Sequence, residues 1–206
     1  HLALSEPPDY RAAAGNAPVN RAFSQEMFGA SMADQVRAYQ QIASGVPPRD
    51  AMLQITLPTL FDPSQAPAGK HTAVVWQYAP YRVAPDGPDG WRRIREDYAA
   101  HLLELWRGYA PNITRDKILA MTIQDPTDTE RHNDNMVNGV DVVGDMTPDQ
   151  MGYFRPFAGA SGYRSPIEGL YMSGGYCHPG GGVHAGAGHN AAGAIAEDFK
   201  LNRWWD

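Results

Sequence analysis

Residues 169–199 read GLYMSGGYCHPGGGVHAGAGHNAAGAIAEDF, and the interpretation of the whole chain starts from them. The apolar run 170–172 is typical of a buried strand, and the glycines that follow it, with Pro179 among them, predict a turn. Small residues from about Val183 onward then predict a helix. The stretch is therefore predicted to form a strand, a Gly-rich turn and a helix.

The predicted start of this helix carries no negative side chain. No Asp or Glu occurs from residue 169 to residue 196, whereas Glu197 and Asp198 stand near the far end. Free N–H groups at a helix N-terminus carry a partial positive charge that attracts electron-rich ligand atoms. Glycine also lets a ligand approach the backbone, because it has no Cβ. The Gly-rich end is therefore predicted to face a ligand.

These residues also resemble a known family. The matching positions are Gly169-Leu170-Tyr171, Gly174-Gly175, His178-Pro179-Gly180-Gly181-Gly182-Val183, Gly186, Gly188 and Asn190-Ala191-Ala192. They are similar to the C-terminal FAD-contacting segment of phytoene dehydrogenase-like flavin oxidoreductases. The similarity continues upstream through Leu57-Pro58-Thr59, Gln77-Tyr78-Ala79-Pro80-Tyr81, Tyr109-Ala110-Pro111-Asn112 and Arg155-Pro156. Within the family, the pattern is nearest the pyridine nucleotide-disulfide oxidoreductase domain-containing branch.

The resemblance implies an FAD-dependent oxidoreductase. Its substrate would be apolar, either carotenoid- or polyene-like or unknown, and would react by flavin-mediated hydride transfer or isomerisation. The implied cofactor contacts are Gly174, Gly175, His178, Pro179, Gly180, Gly181, Gly182 and Val183. His178 is also assigned as the catalytic residue, a general acid or base beside the flavin. Tyr81 and Phe154 are expected to line the substrate cavity.

One part of the family pattern is missing from the sequence. The family opens with a βαβ unit that carries a Gly-x-Gly-x-x-Gly turn, and this sequence starts at His1 without one. We therefore expect FAD in the complete protein but not on this chain alone. The N-terminal FAD-binding half would come from a longer chain or from a partner chain, and self-association into a homo-oligomer stays open. The alternative interpretation is a non-catalytic protein-interaction module that keeps the fold without flavin.

The overall pattern predicts an α+β fold. Strands are separated by helices without regular alternation, which favours a mixed or antiparallel sheet with flanking helices. The resemblance makes residues 1–165 a substrate-domain-like region and residues 166–206 the strand, turn and helix that contact FAD.

Individual elements follow from local signals. A helix is predicted over 31–44, because Ser31 and Asp34 form an N-cap pattern and Gly45 follows. A longer helix over 90–109 has apolar residues at a 3.6-residue period. Strands are predicted over 52–57, 72–78 and 118–123, and a long polar loop over 125–149.

Composition excludes several classes of protein. The net charge is −6, from 17 basic and 23 acidic residues, which argues against binding to nucleic acid. No apolar run approaches the roughly 20 residues that a membrane-spanning helix needs. A cytoplasmic protein is therefore expected, and a single cysteine agrees with a reducing compartment.

Several polar residues leave alternatives open. His178, His184 and His189 with Cys177 lack the spacing of a helical His-x-x-x-His site, so no metal is expected. Cys177 is interpreted as a small buried side chain in preference to a reactive thiol beside the flavin. Arg155 pairs either with the cofactor pyrophosphate or with a loop carboxylate.

Two predictions concern surface and core. Five acidic residues lack the spacing of an EF-hand calcium loop and are predicted to lie mostly on a solvated face: Asp125, Asp128, Glu130, Asp134 and Asp141. Trp76 is predicted to belong to the core of the sheet.

Overall fold

The computed structural model describes residues 1–22, 24–27, 31–50, 52–140, 142–182 and 184–205. The chain divides into two compact units, His1–Asp128 and Thr129–Asp206. The boundary predicted between residues 165 and 166 separates a cofactor segment from the rest, and it stays a prediction.

The first unit contains an antiparallel sheet. In the described part of the chain it has five strands in the order β2-β3-β4-β1-β5, and each neighbouring pair is antiparallel. The strands are β1 (Leu2–Leu4), β2 (Ser24–Met27), β3 (Leu53–Thr56), β4 (His71–Trp76) and β5 (Ile118–Met121). The predicted α+β class with an antiparallel sheet and helices is confirmed. Its assignment to a substrate domain stays a prediction.

The helices are α1 (Ala17–Asn20), α2 (Met32–Ala43), α3 (Pro58–Phe61), α4 (Trp91–Tyr109), α5 (Pro126–His132) and α6 (Gly186–Asp198). Short 3-10 helices lie at Arg11–Ala13, Pro63–Gln65, Pro88–Gly90, Arg115–Lys117, Val137–Gly139, Pro148–Gln150, Gly152–Phe154 and Ala160–Gly162. The two long helices predicted over 31–44 and 90–109 are confirmed to within one residue at each end.

Helix α2 begins where its sequence signal predicts. Ser31 Oγ accepts a hydrogen bond from the Asp34 N–H at 3.3 Å, and the Ser31 hydroxyl donates to the Asp34 carboxylate at 2.8 Å. These bonds satisfy a donor that the first helical turn would otherwise leave free. Gly45 follows the helix with φ of 77°, a conformation that favours glycine.

One face of the sheet shares an apolar core with α4. The buried members of this cluster are Leu2, Leu4, Tyr10, Ala13, Leu53, Ile55, Leu57, Ala73, Trp106, Ala110 and Ile113. Trp106 is fully buried, and its indole N–H donates to the hydroxyl of Tyr10 at 2.9 Å. The buried indole N–H therefore has a hydrogen-bond acceptor inside the core. Trp76, in contrast, is 41% exposed and contacts the ring of Tyr78, so its assignment to the core is wrong.

The segment predicted as a long polar loop begins with helix α5. Asp125 Oδ1 accepts from the N–H groups of Thr127 at 2.9 Å and Asp128 at 3.2 Å, and Pro126 occupies the first helical position. Arg95 of α4 forms ion pairs with Asp125 at 3.2 Å and with Asp128 at 3.0 Å. Both carboxylates are buried, so the predicted solvated face is wrong for these two residues, whereas Asp134 is exposed as predicted and Asp141 lies outside the described residues. The helix forms because a cap and a neighbouring cation stabilise it together.

The second unit has a small apolar core around α6. Tyr163, Cys177, Ala187, Ala191 and Ala194 are its buried members, and Met172 packs against them. The three alanines recur three and four residues apart and therefore lie on one helix face. Small side chains let the neighbouring backbone approach this face closely.

The prediction of a strand over 170–172 is wrong. Tyr171 forms only an isolated bridge with Arg164, and Leu170 is 50% exposed. The opposing segment leaves the extended conformation at Tyr163, whose φ is 66°. Pairing ends there, because a residue with positive φ turns the backbone away from a β ladder.

Candidate functional site

The Gly-rich turn requires glycine at specific positions. A Cβ on Gly181 would lie 2.7 Å from Val142 Cγ1, which is closer than real Cβ atoms pack, and 3.2 Å from Val142 Cα. Gly182 has φ of 126°, which side-chain-bearing residues rarely adopt. The glycines that the sequence assigned to a ligand therefore also have a packing and conformational reason. Val183, the last of the assigned cofactor contacts, lies outside the described residues.

Several backbone N–H groups of the turn make no hydrogen bond within the described structure. Within the described ranges, those of Tyr176, Gly181 and Gly182 make no hydrogen bond to another protein group. Cys177 and Gly180, in contrast, donate to carbonyls inside the turn at 3.0 and 2.7 Å. The turn is closed by its own bonds while several of its donors stay available to a ligand.

Helix α6 begins later than predicted and without a side-chain cap from its N-cap residue. Its N-cap is Ala185, with φ of 54°, and no acidic residue lies in the first turn. The N–H of Gly186 donates to His184 Nδ1 at 2.9 Å, which satisfies one of the first donors. Those of Ala187 and Gly188 make no hydrogen bond in the described structure. The first turn of α6 therefore has no acidic side chain, as predicted, but the helix starts at Gly186 and the His184 side chain caps one of its N–H groups.

His178 is connected to α6 through its backbone. The hydroxyl of Tyr163 donates to the His178 carbonyl at 2.7 Å and accepts from Asn190 Nδ2 at 2.7 Å. His178 Nδ1 is buried and, within the part of the chain that is described, has no hydrogen-bond partner. A buried polar atom without a partner is unusual and is a donor or acceptor that a ligand could satisfy. Its catalytic role stays a prediction.

Tyr163 is a site residue that sequence reasoning missed. Asn190 belongs to the matched segment, but Tyr163 lies outside it, 27 residues before Asn190. The local sequence contains no signal for this role of Tyr163, because its hydroxyl bonds His178 and Asn190, which only the fold brings close.

Arg155 supports the Gly-rich turn from inside. It is 1% exposed, and its guanidinium donates to the carbonyl of Gly175 at 2.7 Å. Further bonds go to the carbonyls of Asp145 at 2.9 Å, Gln150 at 3.1 Å and Val143. In the described structure, Arg155 therefore bonds main-chain oxygens and not the loop carboxylate that the sequence analysis gave as one possible partner.

Cys177 is buried in the small core of the second unit. Desolvation raises the pKa of its thiol, and the nearby positive charge of Arg155 lowers it to a smaller extent. A raised pKa reduces the thiolate fraction, which is the reactive form. These properties agree with the interpretation of Cys177 as a buried packing residue.

The far end of α6 is neutralised by a cation from another segment. Arg164 bonds both carboxylate oxygens of Asp198 at 2.8 Å, Glu197 at 2.9 Å and the Ala194 carbonyl at 3.2 Å. Tyr171 also donates to Asp198, at 2.7 Å. The bonds from Arg164 and then Tyr171 lower the pKa of Asp198 to about 2. Arg164 thus offsets the negative charges of two acidic residues at the helix C-terminus. A cation there also interacts favourably with the negative end of the helix dipole.

Known proteins with similar sequences include oxidoreductases. The chain is 36% identical to pyridine nucleotide-disulfide oxidoreductase domain-containing protein 2 of Mus musculus over 166 residues, which cover 80% of this chain and 28% of that protein. The Rattus norvegicus protein of the same name is 35% identical over the same length. A limonene dehydrogenase subunit of Castellaniella defragrans is 31% identical over 209 residues, 100% of this chain and 37% of that protein.

These similarities support an oxidoreductase family. No protein-family model matches the chain. The chain spans 28% of the first two relatives and 37% of the third, so the activity of the whole protein is a matter for proposal. The similarity to pyridine nucleotide-disulfide oxidoreductase domain-containing proteins agrees with the sequence-based resemblance, whereas the phytoene dehydrogenase-like assignment stays a prediction.

The two residues assigned to the substrate belong to different units. Tyr81 is partly buried in the first unit, between β4 and α4. Phe154 is 47% exposed on the 3-10 helix Gly152–Phe154 of the second unit, where its ring contacts Tyr153. Each is described within its own unit, and a shared cavity stays a prediction.

The described residues offer neither a metal cluster nor a membrane span. Across the described ranges, no three His, Cys, Asp or Glu side chains are grouped closely enough to hold a metal ion. None of the described helices has the length and apolar character that crossing a membrane demands. The predicted cytoplasmic location stays a prediction.

Proposed function

We propose that this chain is the C-terminal part of an FAD-dependent oxidoreductase of the phytoene dehydrogenase-like family. Residues 174–183 and the start of α6 would contact the electron-rich edge of the isoalloxazine. When bound, FAD would supply the hydride-transfer or isomerisation chemistry. The role of the chain is to hold that edge and to shape the substrate side.

The free backbone donors carry this proposal. The N–H groups of Gly181, Gly182, Ala187 and Gly188 make no bond within the described protein, and no acidic side chain lies in the first turn of α6. Fixed N–H dipoles that point at an electron-rich atom stabilise negative charge there. Reduction of flavin increases that negative charge, so these donors would favour the reduced form.

His178 has the atom that a general acid or base requires. Its buried Nδ1 lacks a protein partner among the described residues, while its carbonyl is held by Tyr163. The ring would therefore exchange a proton with the substrate or orient the flavin, and Tyr163 would keep the residue in place.

The names of the relatives agree with a redox cofactor and an apolar substrate. One is named as a pyridine nucleotide-disulfide oxidoreductase domain-containing protein and another as part of a limonene dehydrogenase. For this chain, we propose Tyr81 and Phe154 as apolar contacts of the substrate. We propose that the N-terminal FAD-binding half is supplied by the same polypeptide or by a partner chain.

The test is cofactor binding by the longest natural protein that contains this chain. Purified protein should carry FAD, with the visible absorbance of an oxidised flavin. Gly182→Asp should lose the flavin, because it adds a side chain and a negative charge beside the free donors. Gly169→Asp is the matched control: it makes the same charge change in the same unit, at a glycine whose φ is also positive (76°), and a Cβ there meets nothing within 4 Å.

The outcomes separate the two interpretations. Flavin in the wild type and in Gly169→Asp, but not in Gly182→Asp, supports the proposal. A colourless wild-type protein that takes up no added FAD but binds a protein partner would contradict it and favour the interaction module. Exposed apolar side chains in the second unit, with Trp204 at 84% and Ile167 at 65%, are the observation behind that alternative.

A further inference from the structure

Arg155 is a buried charge that forms no ion pair with the described residues. The residue is 1% exposed, and none of the ion pairs between described residues includes it. A guanidinium stays protonated in proteins, so it cannot escape the desolvation cost by losing its proton. The positive charge is therefore retained for interactions with backbone oxygens.

The four hydrogen bonds of the guanidinium join two separate segments. Nη1 donates to the carbonyls of Asp145 and Gln150, and Nη2 donates to the carbonyls of Val143 and Gly175. Three of these oxygens lie in the loop before Arg155, whereas Gly175 lies 20 residues after it in the Gly-rich turn. One planar side chain thus fixes the loop and the turn relative to each other.

The turn closes around this guanidinium. A Cβ on Gly180 would lie 3.7 Å from Arg155 Nε, and a Cβ on Gly144 would lie 3.4 Å from Nη2. Nε itself is buried and makes no hydrogen bond in the described structure. A side chain at either glycine would therefore contact the guanidinium.

The bond to Gly175 also sets the direction of the free donors. In a trans peptide the C=O and the following N–H point in opposite directions, so the Tyr176 N–H points away from Arg155. Gly175 also lies close to Gly181, since a Cβ added to Gly175 would lie 3.5 Å from Gly181 Cα. Gly181, whose N–H makes no hydrogen bond within the described structure, is therefore a near neighbour of the residue that Arg155 fixes.

We infer that Arg155 is a positioning residue for the Gly-rich turn. It draws the Gly175 carbonyl inward and thereby directs the N–H groups of Tyr176 and Gly181 toward the electron-rich ligand. This inference rests on the proposed flavin function. The inference requires the planar shape of the guanidinium as well as its charge. A lysine ammonium group is a compact point charge and cannot reach the four carbonyls that the guanidinium bonds.

Arg155→Lys separates geometry from charge. In the longest natural protein, the variant should bind FAD on the order of tenfold more weakly, as expected for loss of a charged hydrogen bond. The midpoint potential of the flavin that remains bound should fall, because misdirected donors stabilise the reduced form less. Arg155→Met should show both effects. Arg164→Lys and Arg164→Met, at the far end of α6, should leave affinity and potential unchanged.

The results distinguish this inference from the function on which it rests. A wild type without flavin would defeat the proposed function. A flavin-binding wild type whose Arg155→Lys variant has the same affinity and potential would overturn the positioning role. If the Arg155→Lys variant does not fold, amide hydrogen exchange of the wild type with and without FAD tests the inference instead. FAD should slow exchange at the amides of Tyr176 and Gly181, and unchanged exchange there would overturn the inference.

Discussion

Gly188 offers a substitution that should strengthen the fold while it abolishes cofactor binding. It is the third residue of α6, and a Cβ there would lie 3.9 Å from Ser173 Oγ, its nearest neighbour among the described residues, which is an ordinary van der Waals contact. Replacement therefore requires no movement of the protein. Any effect on FAD would come from the new side chain at the helix end.

The expected gain in stability follows from helix energetics. Gly188→Ala should stabilise the helix by up to about 1 kcal/mol. Gly188→Asp should gain a few tenths of a kcal/mol from propensity and about 0.3–1 kcal/mol from a negative charge near the helix N-terminus. Thermal or urea unfolding should thus show Gly188→Asp at least as stable as the wild type.

The same Asp should exclude the flavin. Its carboxylate would compete for the free N–H groups of Ala187 and Gly188 and would repel the electron-rich edge of the ring. FAD affinity, measured by fluorescence quenching, should fall on the order of tenfold or more, equivalent to about 1.4 kcal/mol. Gly193→Asp is the control, since it adds the same charge further along α6, near Arg203.

Two results would refute this reasoning. Wild-type FAD affinity in Gly188→Asp would mean that the start of α6 does not face the flavin. An equal loss in Gly193→Asp would mean that added charge on the helix weakens binding from any position. Because the fold should be strengthened, loss of FAD cannot be attributed to unfolding.

Three further predictions concern stability and reactivity. Arg95→Met should destabilise the first unit by about 3–5 kcal/mol in urea unfolding because it removes the cation that pairs with two buried carboxylates, whereas Arg92→Met on the exposed side of α4 should change stability by less than about 0.5 kcal/mol; equal effects would contradict the buried ion pairs. Since the folded-state pKa of Asp198 is lowered from 3.8 to about 2, its contribution should be complete above about pH 4 and be lost as the pH falls toward 2, and Asp198→Asn should remove that part of the acid sensitivity; an identical acid-unfolding profile would count against the bonds from Arg164. Cys177 should react with a thiol reagent much more slowly in native than in unfolded protein, and rapid native labelling would contradict its burial.

Local sequence signals were sufficient for the long helices. The Ser31 cap, the glycine after α2 and the apolar period of α4 each depend on residues within a few turns, so the sequence alone predicted these elements closely. Helix α5 was missed although Asp125 and Pro126 form a recognisable start. Its stability depends on Arg95, which lies 30 residues before Asp125 and is brought there by the fold.

The candidate site shows the same division. The sequence by itself determined the glycines and the absence of acidic residues from residue 169 to residue 196, because these are properties of consecutive residues. Only the tertiary structure decided that Arg155 holds Gly175 and that Tyr163 holds His178. It also replaced the predicted strand over 170–172 with a single bridge. These contacts join residues far apart in the chain, and their energies depend on burial and direction, which a linear pattern does not contain.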